Sequence, residues 1–574
     1  MVFMVLRSVK AALATSALAL WVLGHPAWAD DGNPGAYLAA QAALAQHDFA
    51  GAADWYGQSL LADPTNPLLL EGAALSNLSL GRMDEASRLA AAMTTSDKPG
   101  LVSFLTQIDA GARKGDFGAV LATVKSDPGA GTLLVGLVTA WSELGQGRMS
   151  EALDAFDTLA KTRQLANFAL YHKALALASA GDYQSADNIL SGKAAGPISM
   201  TRRGVVAHLQ ILSQMERNAD ALKLLDQAFG TGPDPLADDL RRRLTAGEPL
   251  PFDMARNAKD GLAEAFYTLA TALNGQAEDA YTLLYSRIAT DLRPDNADAV
   301  LMTAGLLEQL GQHDLATEAY AKVPADSPIF HIAEMGRADA AYASGRKDAA
   351  VEIMQTLARS HPDLLVVQVG LGDILRREER FTEARAAYDA ALALVPDPQP
   401  NHWAIYFSRG ICAERSGDFP ATEADMRQAL KLNPDQPQVL NYLGYSYVDR
   451  GQNLDEALDM IKRAVKAEPE SGMIIDSLAW AYFRLGRYAD AVEPMEKASL
   501  LEPVDPVVTD HLGDVYWKAG RQREAEFQWH RALSFKPTEA DAKRIRQKLD
   551  IGLDAVMADE TAHPVKQEAA TNGG

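Results

Sequence analysis

The chain has 574 residues, of which 48% are hydrophobic, and its 54 Lys and Arg against 76 Asp and Glu give a net charge of −22. This length exceeds the common domain size of roughly 100 to 200 residues, so several domains or a repeat array are expected. The acidic balance excludes nucleic acid as a favoured partner, and the single cysteine, Cys412, excludes an internal disulfide, a CxxC pair and a multi-thiolate zinc site.

Residues 1–29 have the order of a secretory signal peptide. Arg7 and Lys10 precede an apolar stretch over residues 11–24, and the small-residue site Ala27-Trp28-Ala29 follows. A retained membrane anchor is the alternative, but the apolar stretch is shorter than the roughly 20 residues that a membrane-crossing helix needs. No cysteine lies near the cleavage site, so the lipid attachment of bacterial lipoproteins is chemically excluded.

The expected mature chain, residues 30–574, is therefore periplasmic, with peripheral association with the outer membrane left open. It contains no further apolar run that could span a membrane, because charged residues recur within every one or two helical turns.

The rest of the chain repeats with a period of 34 residues. Pro469, Pro503 and Pro537 are 34 residues apart, and so are Ala491 and Ala525. Repeat units begin near residues 33, 67, 101, 131, 167, 202, 263, 297, 331, 365, 403, 437, 472 and 506. A period of this length predicts a solenoid of helical hairpins.

Prolines and composition divide the array into segments. The predicted segments are an N-terminal array of degenerate repeats (30–229), a proline-rich joint (230–261), a C-terminal array (262–537), a polar capping helix (538–551) and a disordered tail (552–574).

Each unit has the apolar pattern of two packed helices. In the unit from Gly472, the residues Ile475, Leu478, Ala479 and Tyr482 form a stripe at helical spacing. Small residues where helices cross and a proline at the end of each unit resemble the tetratricopeptide repeat. One hairpin cannot bury its own stripe, so neighbours must stack. The resemblance implies an all-α fold, a right-handed superhelical solenoid with a concave inner surface.

The usual catalytic motifs are absent from the sequence. There is no phosphate-binding GxxxxGK[ST] loop, HExxH zinc helix, GxSxG nucleophile elbow or calcium-binding loop. The histidines are scattered among repeats, and Cys412 has apolar neighbours, which favours a buried inert thiol. We therefore expect no enzymatic activity, no cofactor and no metal site.

The concave face is the candidate binding surface. Aromatic, Asn, Asp and Arg side chains make good interface anchors because they bury area while keeping a polar group. The predicted partner-binding residues on the first helices of the last three repeats are Asn441, Tyr445, Asp476, Trp480, Phe483, Arg484, Asp510, Asp514 and Trp517. For Trp480, Phe483 and Trp517, packing against the next hairpin is an equal alternative.

The stretch from His402 to Leu533 resembles a particular group of exported bacterial tetratricopeptide proteins. The likeness is carried by DSLAWAYFRLGRYADAV, DPVVTDHLGDVYW and EAEFQWHRAL, and upstream by GLAEAFYTLATAL and VPADSPIFHIAEMGRADA. This group includes the lipoprotein adaptor of a carboxyl-terminal processing protease, whose solenoid binds the protease and its peptidoglycan hydrolase substrates. This sequence departs from the adaptor in lacking the lipid-anchoring cysteine.

Two functions are thus expected. The first is a non-catalytic periplasmic adaptor that binds protein partners in its concave groove and delivers cell-wall hydrolases to a processing protease. The alternative is an assembly scaffold in envelope polysaccharide export or outer-membrane biogenesis.

Overall fold

The computed structural model describes residues 33–93, 100–126, 130–230 and 234–562. Within these ranges the secondary structure is 31 α-helices and one short 3₁₀ turn, with no strand, which confirms the all-α prediction. The predicted signal peptide, residues 1–29, and the last residues of the predicted tail, 563–574, lie outside the described ranges. The chain divides into two compact units, Met1–Ile353 and Met354–Gly574.

Most of unit 1 consists of consecutive helical hairpins. Its helices are α1 (Pro34–Ala45), α2 (Phe49–Ala62), α3 (Pro67–Leu80), α4 (Met83–Ala92), α5 (Leu101–Lys114), α6 (Phe117–Ser126), α7 (Thr132–Gly145), α8 (Met149–Ala160), α9 (Ala166–Ser179), α10 (Tyr183–Leu190), α11 (Arg202–Gln214), α12 (Asn218–Phe229), α13 (Pro235–Thr245), α14 (Ala258–Leu273), α15 (Asp279–Leu292), α16 (Ala297–Gln309), α17 (His313–Tyr320) and α18 (Phe330–Ala343). The boundary between the units falls within the next helix, α19 (Lys347–Ser360).

Unit 2 continues with five hairpins and two terminal helices. These are α20 (Leu365–Arg377), α21 (Phe381–Ala393), α22 (Trp403–Arg415), α23 (Phe419–Leu432), α24 (Pro437–Arg450), α25 (Leu454–Ala467), α26 (Gly472–Arg484), α27 (Tyr488–Leu501), α28 (Pro506–Lys518), α29 (Gln522–Ser534), α30 (Glu539–Ile551) and α31 (Leu553–Ala562). A helix begins within five residues of every repeat start that the sequence predicts.

Local chemistry fixes the ends of these helices. Helix α28 starts at Pro506, whose missing N–H costs nothing at a first helical position, and the Asp505 side chain accepts hydrogen bonds from the amides of Val507 and Val508 at 2.8 Å. After α26 the chain turns at Gly486, whose φ of 72° lies in the left-handed region that favours glycine. The hairpins therefore recur because their start and stop signals recur.

One hairpin of unit 1 packs back on the repeats that precede it. Helix α14 lies against α7 and α9, and α15 lies against α3 and α5. Gly261 of α14 allows the close approach, since a Cβ atom there would sit 2.1 Å from Cε3 of the buried Trp141 on α7. Arg287 of α15 is also buried, and its Nε donates to the Ser79 carbonyl of α3 at 2.9 Å.

Residues 230–261, predicted as a proline-rich joint within the solenoid, connect repeats that pack on one another. The segment holds α13 and an irregular stretch that lead into α14, and the repeats on both sides of it belong to the same compact unit. The reason is a set of contacts distant in sequence: Glu264 of α14 accepts from the Tyr171 hydroxyl at 2.9 Å and pairs with Arg203 at 2.9 Å. Such contacts leave no periodic trace in the sequence.

The C-terminal end differs from the prediction. Residues 553–562, predicted to be disordered, form α31, and its Leu553 and Val556 are buried. These two apolar residues, one helical turn apart, give the short helix a buried side. In the described ranges, none of the helices has both the length and the apolar character that a bilayer crossing requires.

Candidate functional site

The first helices of unit 2 present a row of side chains at equivalent repeat positions. We call the side that carries the fifth and ninth residues of each first helix the groove face, since a spacing of four places both on one side of a helix. From α20 to α28 these pairs are Val369 and Asp373, Phe407 and Ile411, Asn441 and Tyr445, Asp476 and Trp480, and Asp510 and Asp514. The first three pairs are half-buried, whereas the last two are buried.

The pair on α26 is covered by its neighbours in the array. The Trp480 ring stacks on Phe483, with centroids 4.6 Å apart, and on His511 of α28, with centroids 4.0 Å apart. His511 Nδ1 lies 3.0 Å from Asp476 Oδ1. Burial opposes the charged imidazolium, but the Asp476 carboxylate outweighs it and raises the pKa of His511 above its ordinary value. Asp476 is therefore buried, contrary to the expected exposure, and of the two alternatives for Trp480 and Phe483 the structure shows packing.

The pair on α28 is covered by the terminal helices. Lys548 of α30 reaches Asp510 Oδ2 and Asp514 Oδ1, both at 2.7 Å, and its side chain has no solvent exposure. The predicted exposure of Asp510 and Asp514 is therefore wrong as well. Trp517 remains half-buried, but its Nε1 donates to Asp554 of α31 at 2.9 Å.

The groove face of α22 and α24 is not covered in this way. Phe407 and Ile411 on α22 and Asn441 and Tyr445 on α24 remain half-buried. Phe407 meets Tyr442 edge to face, with ring centroids 5.7 Å apart. This arrangement leaves an apolar and aromatic surface of the kind that anchors protein partners.

Asn441 adds an unused hydrogen-bond acceptor to this surface. Its Oδ1 is buried and has no hydrogen-bond partner among the described residues. A buried acceptor without a donor typically costs about 1–3 kcal/mol, so a turn of the half-buried Asn441 amide that brings its oxygen to a partner N–H group would be favoured. Arg484, the one predicted residue that is exposed, donates from Nη2 to the Asp449 carbonyl at 3.0 Å.

Sequence reasoning missed Phe407 and Ile411, although both occupy the same repeat positions as Asn441 and Tyr445. Extending the position count by one repeat toward the N-terminus would have found them. For the covered pair on α28 the available signal was Lys548, a lysine placed beside the apolar residues Ala542, Ile545 and Leu549 of α30.

The described residues show no arrangement of three or more His, Cys, Asp or Glu side chains suited to hold a metal ion. Cys412 is buried, as predicted, and burial raises the pKa of its thiol to about 11. The thiol is therefore protonated at neutral pH and is a poor nucleophile.

Unit 1 contains a pair of carboxyl groups with an unusual environment. Asp109 of α5 is fully buried and faces Asp291 of α15, and Arg113 Nε lies 2.9 Å from Asp109 and 3.2 Å from Asp291. Arg113 also pairs with Asp84 of α4 at 2.7 Å, so three carboxyl groups surround one guanidinium. Burial, reinforced by the Asp291 charge, raises the pKa of Asp109 to about 8, and burial also raises the pKa of Asp291.

Comparison with known proteins supports the repeat assignment. A family model for the tetratricopeptide repeat matches residues 137–186, 335–398, 369–437, 407–472 and 443–499. The TPR repeat-containing protein PA4667 of Pseudomonas aeruginosa is 28% identical over 185 residues, which are 32% of this chain and 30% of that protein. The TPR repeat-containing protein PA4299 of the same organism is 27% identical over 156 residues, which are 27% of this chain and 60% of that protein.

Among solved structures, the crystal structure of the APC/C hetero-tetramer Cut9–Hcn1 is similar with a TM-score of 0.37 and 15% identity, over 90% of this chain and 95% of that chain. The match to PA4667, by contrast, spans less than a third of the length of that protein. The described residues are all-α and consist largely of helical hairpins, and those of residues 137–186 and 335–499 match the tetratricopeptide repeat.

Proposed function

We propose that this chain is a periplasmic scaffold that binds a protein partner on the groove face of α22 and α24. The observation that carries the proposal is the half-buried set Phe407, Ile411 and Tyr445 beside the unpartnered Asn441 Oδ1. The apolar rings supply area that a partner can bury, and the Asn441 oxygen supplies one directed contact for a partner N–H group. The tetratricopeptide repeats of this region support a protein rather than a small molecule as the partner.

The narrower proposal is an adaptor role in cell-wall turnover. It rests on the resemblance of residues 402–533 to the exported adaptor of a carboxyl-terminal processing protease and on the signal-like segment at residues 1–29. In this role the scaffold holds the protease and a peptidoglycan hydrolase together and so raises the rate at which the hydrolase is degraded.

The first experiment is an affinity pull-down from a periplasmic extract with the mature chain, residues 30–574. A Phe407→Ala, Tyr445→Ala double variant tests the groove face. Phe527→Ala is the matched control, because Phe527 is 66% exposed on the second helix α29, away from the groove face. We expect the control, but not the double variant, to recover the partner. Equal recovery by both would overturn the assignment of the groove face.

The identity of the recovered proteins separates the functions. Recovery of a processing protease or a peptidoglycan hydrolase, followed by faster hydrolase degradation when the chain is added to the purified pair, supports the adaptor role. Recovery of polysaccharide-export or outer-membrane assembly proteins refutes that role and favours the assembly scaffold.

A further inference from the structure

Lys548 is a buried charge delivered by a terminal helix to the groove face. Its side chain has no solvent exposure, although the helix that carries it, α30, is largely exposed. A buried ammonium is stable only when its charge is paired and its protons find acceptors. The side chains around Lys548 therefore form a site built for a primary amine.

That site, which we call the amine pocket, consists of Asp510, Asp514 and Trp529. Lys548 Nζ donates to Asp510 Oδ2 at 2.7 Å and to both oxygens of Asp514 at 2.7 and 2.8 Å. Trp529 orients the pocket, since its Nε1 donates to Asp514 Oδ1 at 2.9 Å and its ring centroid lies 5.8 Å from Nζ.

The pocket is not saturated by Lys548. Asp510 Oδ1 is buried and has no hydrogen-bond partner in the part of the chain that the structure describes. Arg544 of α30 approaches the same carboxylates only loosely, with Nη1 at 3.7 Å from Asp510 Oδ2 and at 3.5 Å from Asp514 Oδ2. The pocket therefore keeps an unused acceptor for an amine that enters in a slightly different position.

The terminal helices that deliver Lys548 are anchored by both apolar and polar contacts. On α30 the buried apolar side chains are Ala542 and Ile545, and on α31 they are Leu553 and Val556. Ile545 and Leu553 belong to the core of unit 2, and Leu549 and Met557 pack against it. Polar contacts add to this packing, including those of Asp554 with Trp517 and with Lys518. Because these helices end the array and are covered on one side only, they open more readily than the hairpins inside it.

We propose that the amine pocket is a lysine-recognition site of the groove face, filled in the free chain by Lys548, and that a partner's lysine-bearing helix displaces α30 and α31. Displacement uncovers Asp510, Asp514 and Trp517 and so opens a second part of the groove face, on α28, beyond the covered pair of α26. This inference rests on the proposed function, because it describes the regulation of the same partner-binding surface.

The test uses a fluorescein-labelled peptide of residues 538–562 as the probe and the full-length chain as the receptor, with fluorescence anisotropy as the readout. The unlabelled copy of this segment within the wild-type chain competes for the pocket. We expect the Lys548→Met chain to bind the labelled peptide at least 10-fold more tightly than the wild-type chain, because its own α30 no longer supplies an amine.

Variants of the peptide show whether the lysine is what is recognised. A peptide with Lys548→Met should bind the Lys548→Met chain at least 10-fold more weakly than the unchanged peptide. A peptide with Lys543→Met is the matched control, because Lys543 is exposed on α30, and its affinity should be unchanged. Equal affinity of the Lys548→Met and Lys543→Met peptides would overturn lysine recognition.

A second receptor keeps the test decisive if the Lys548→Met chain is unstable. The Arg544→Ala chain retains Lys548 but loses the 2.7 Å ion pair of Arg544 with Glu560 of α31 and the looser contacts with Asp510 and Asp514, so it should bind the unchanged peptide more tightly than the wild-type chain does. If neither receptor binds the peptide better than wild type while circular dichroism shows both folded, α30 is a fixed cap. The pull-down with the Phe407 and Tyr445 double variant is independent of this result.

Discussion

The carboxyl pair Asp109 and Asp291 makes a specific prediction about pH. Because the pKa of Asp109 is raised to about 8 while an unfolded Asp titrates near its ordinary 3.8, the folded chain binds more protons than the unfolded chain between these two values. Stability must then fall as pH rises through this window and level off above it. The contact between α5 and α15 should therefore be tightest in mild acid.

The magnitude follows from the size of the shift. Each pH unit in the window changes the unfolding free energy by about 1.4 kcal/mol, so the change between about pH 5 and about pH 7 is about 3 kcal/mol. The other charged groups around the pair are Arg113, Asp84 and Lys259, and the first of these limits the repulsion when both carboxyls ionise. Asp109→Asn removes the titration while its amide can still donate to Asp291.

The assay is hydrogen exchange of the α15 amides between pH 5 and pH 8, corrected for the intrinsic exchange rate, because exchange reports the local opening free energy. In the wild-type chain, the free energy of opening α15 should fall by about 3 kcal/mol between about pH 5 and about pH 7. In Asp109→Asn this free energy should change less with pH. Asp54→Asn, at an exposed position on α2, is the control and should follow wild type. Parallel profiles for wild type and Asp109→Asn would refute the assignment of this pH dependence to Asp109.

Three further predictions concern packed aromatic residues. Trp480→Ala should lower the free energy of unfolding by about 3–5 kcal/mol because it removes a buried aromatic ring, whereas Arg484→Ala should change it by less than about 0.5 kcal/mol. Urea denaturation of both variants measures these values, and equal losses in the two variants would contradict the prediction. Protonated His511 should quench the fluorescence of Trp480, with a titration midpoint above pH 6.5 because the pKa of His511 is raised. The stabilisation of the fold by the His511–Asp476 ion pair should be complete below pH 6.5 and be lost as pH rises through the pKa of His511 in the folded chain. The fluorescence difference between wild type and Trp480→Phe measures the midpoint, and a value below pH 6.5 would disprove the prediction. Gly261→Ala should loosen α14 because the new Cβ would collide with Trp141, so unchanged hydrogen exchange in α14 would count against the packing described.

The repeat boundaries were predictable because their causes are local. Pro506 and Asp505 start α28, and Gly486 ends the turn after α26, within a few residues of each boundary. The small residues at helix crossings, such as Ala479 and Ala525, are fully buried as their period predicts. Period and local chemistry thus determine where each hairpin begins and which stripe it buries.

The exposure of the groove face was not predictable in the same way, because it depends on residues one repeat or more away. Trp480 is buried by His511, which lies in the following repeat, and Asp514 is buried by Lys548, which lies beyond the last repeat. Position within a repeat indicates which side of the helix a residue occupies. It does not indicate whether another helix covers that side.

The helices that cover the first helices differ between the two ends of the array. The N-terminal first helices α3, α5, α7 and α9 are covered by α14 and α15. Trp141 packs against Gly261 in this contact, and buried polar contacts such as that of Arg287 with the Ser79 carbonyl add to it. The last first helix, α28, is covered by the terminal helices α30 and α31, which bring Lys548 to Asp510 and Asp514. Exposed charge pairs weaken with salt, whereas buried pairs are screened much less. Because the Lys548 side chain has no solvent exposure, moderate salt should leave the amine pocket covered, and hydrogen exchange of the α30 amides should be the same at low and at moderate ionic strength. Exchange that becomes faster with salt would contradict a buried ion pair.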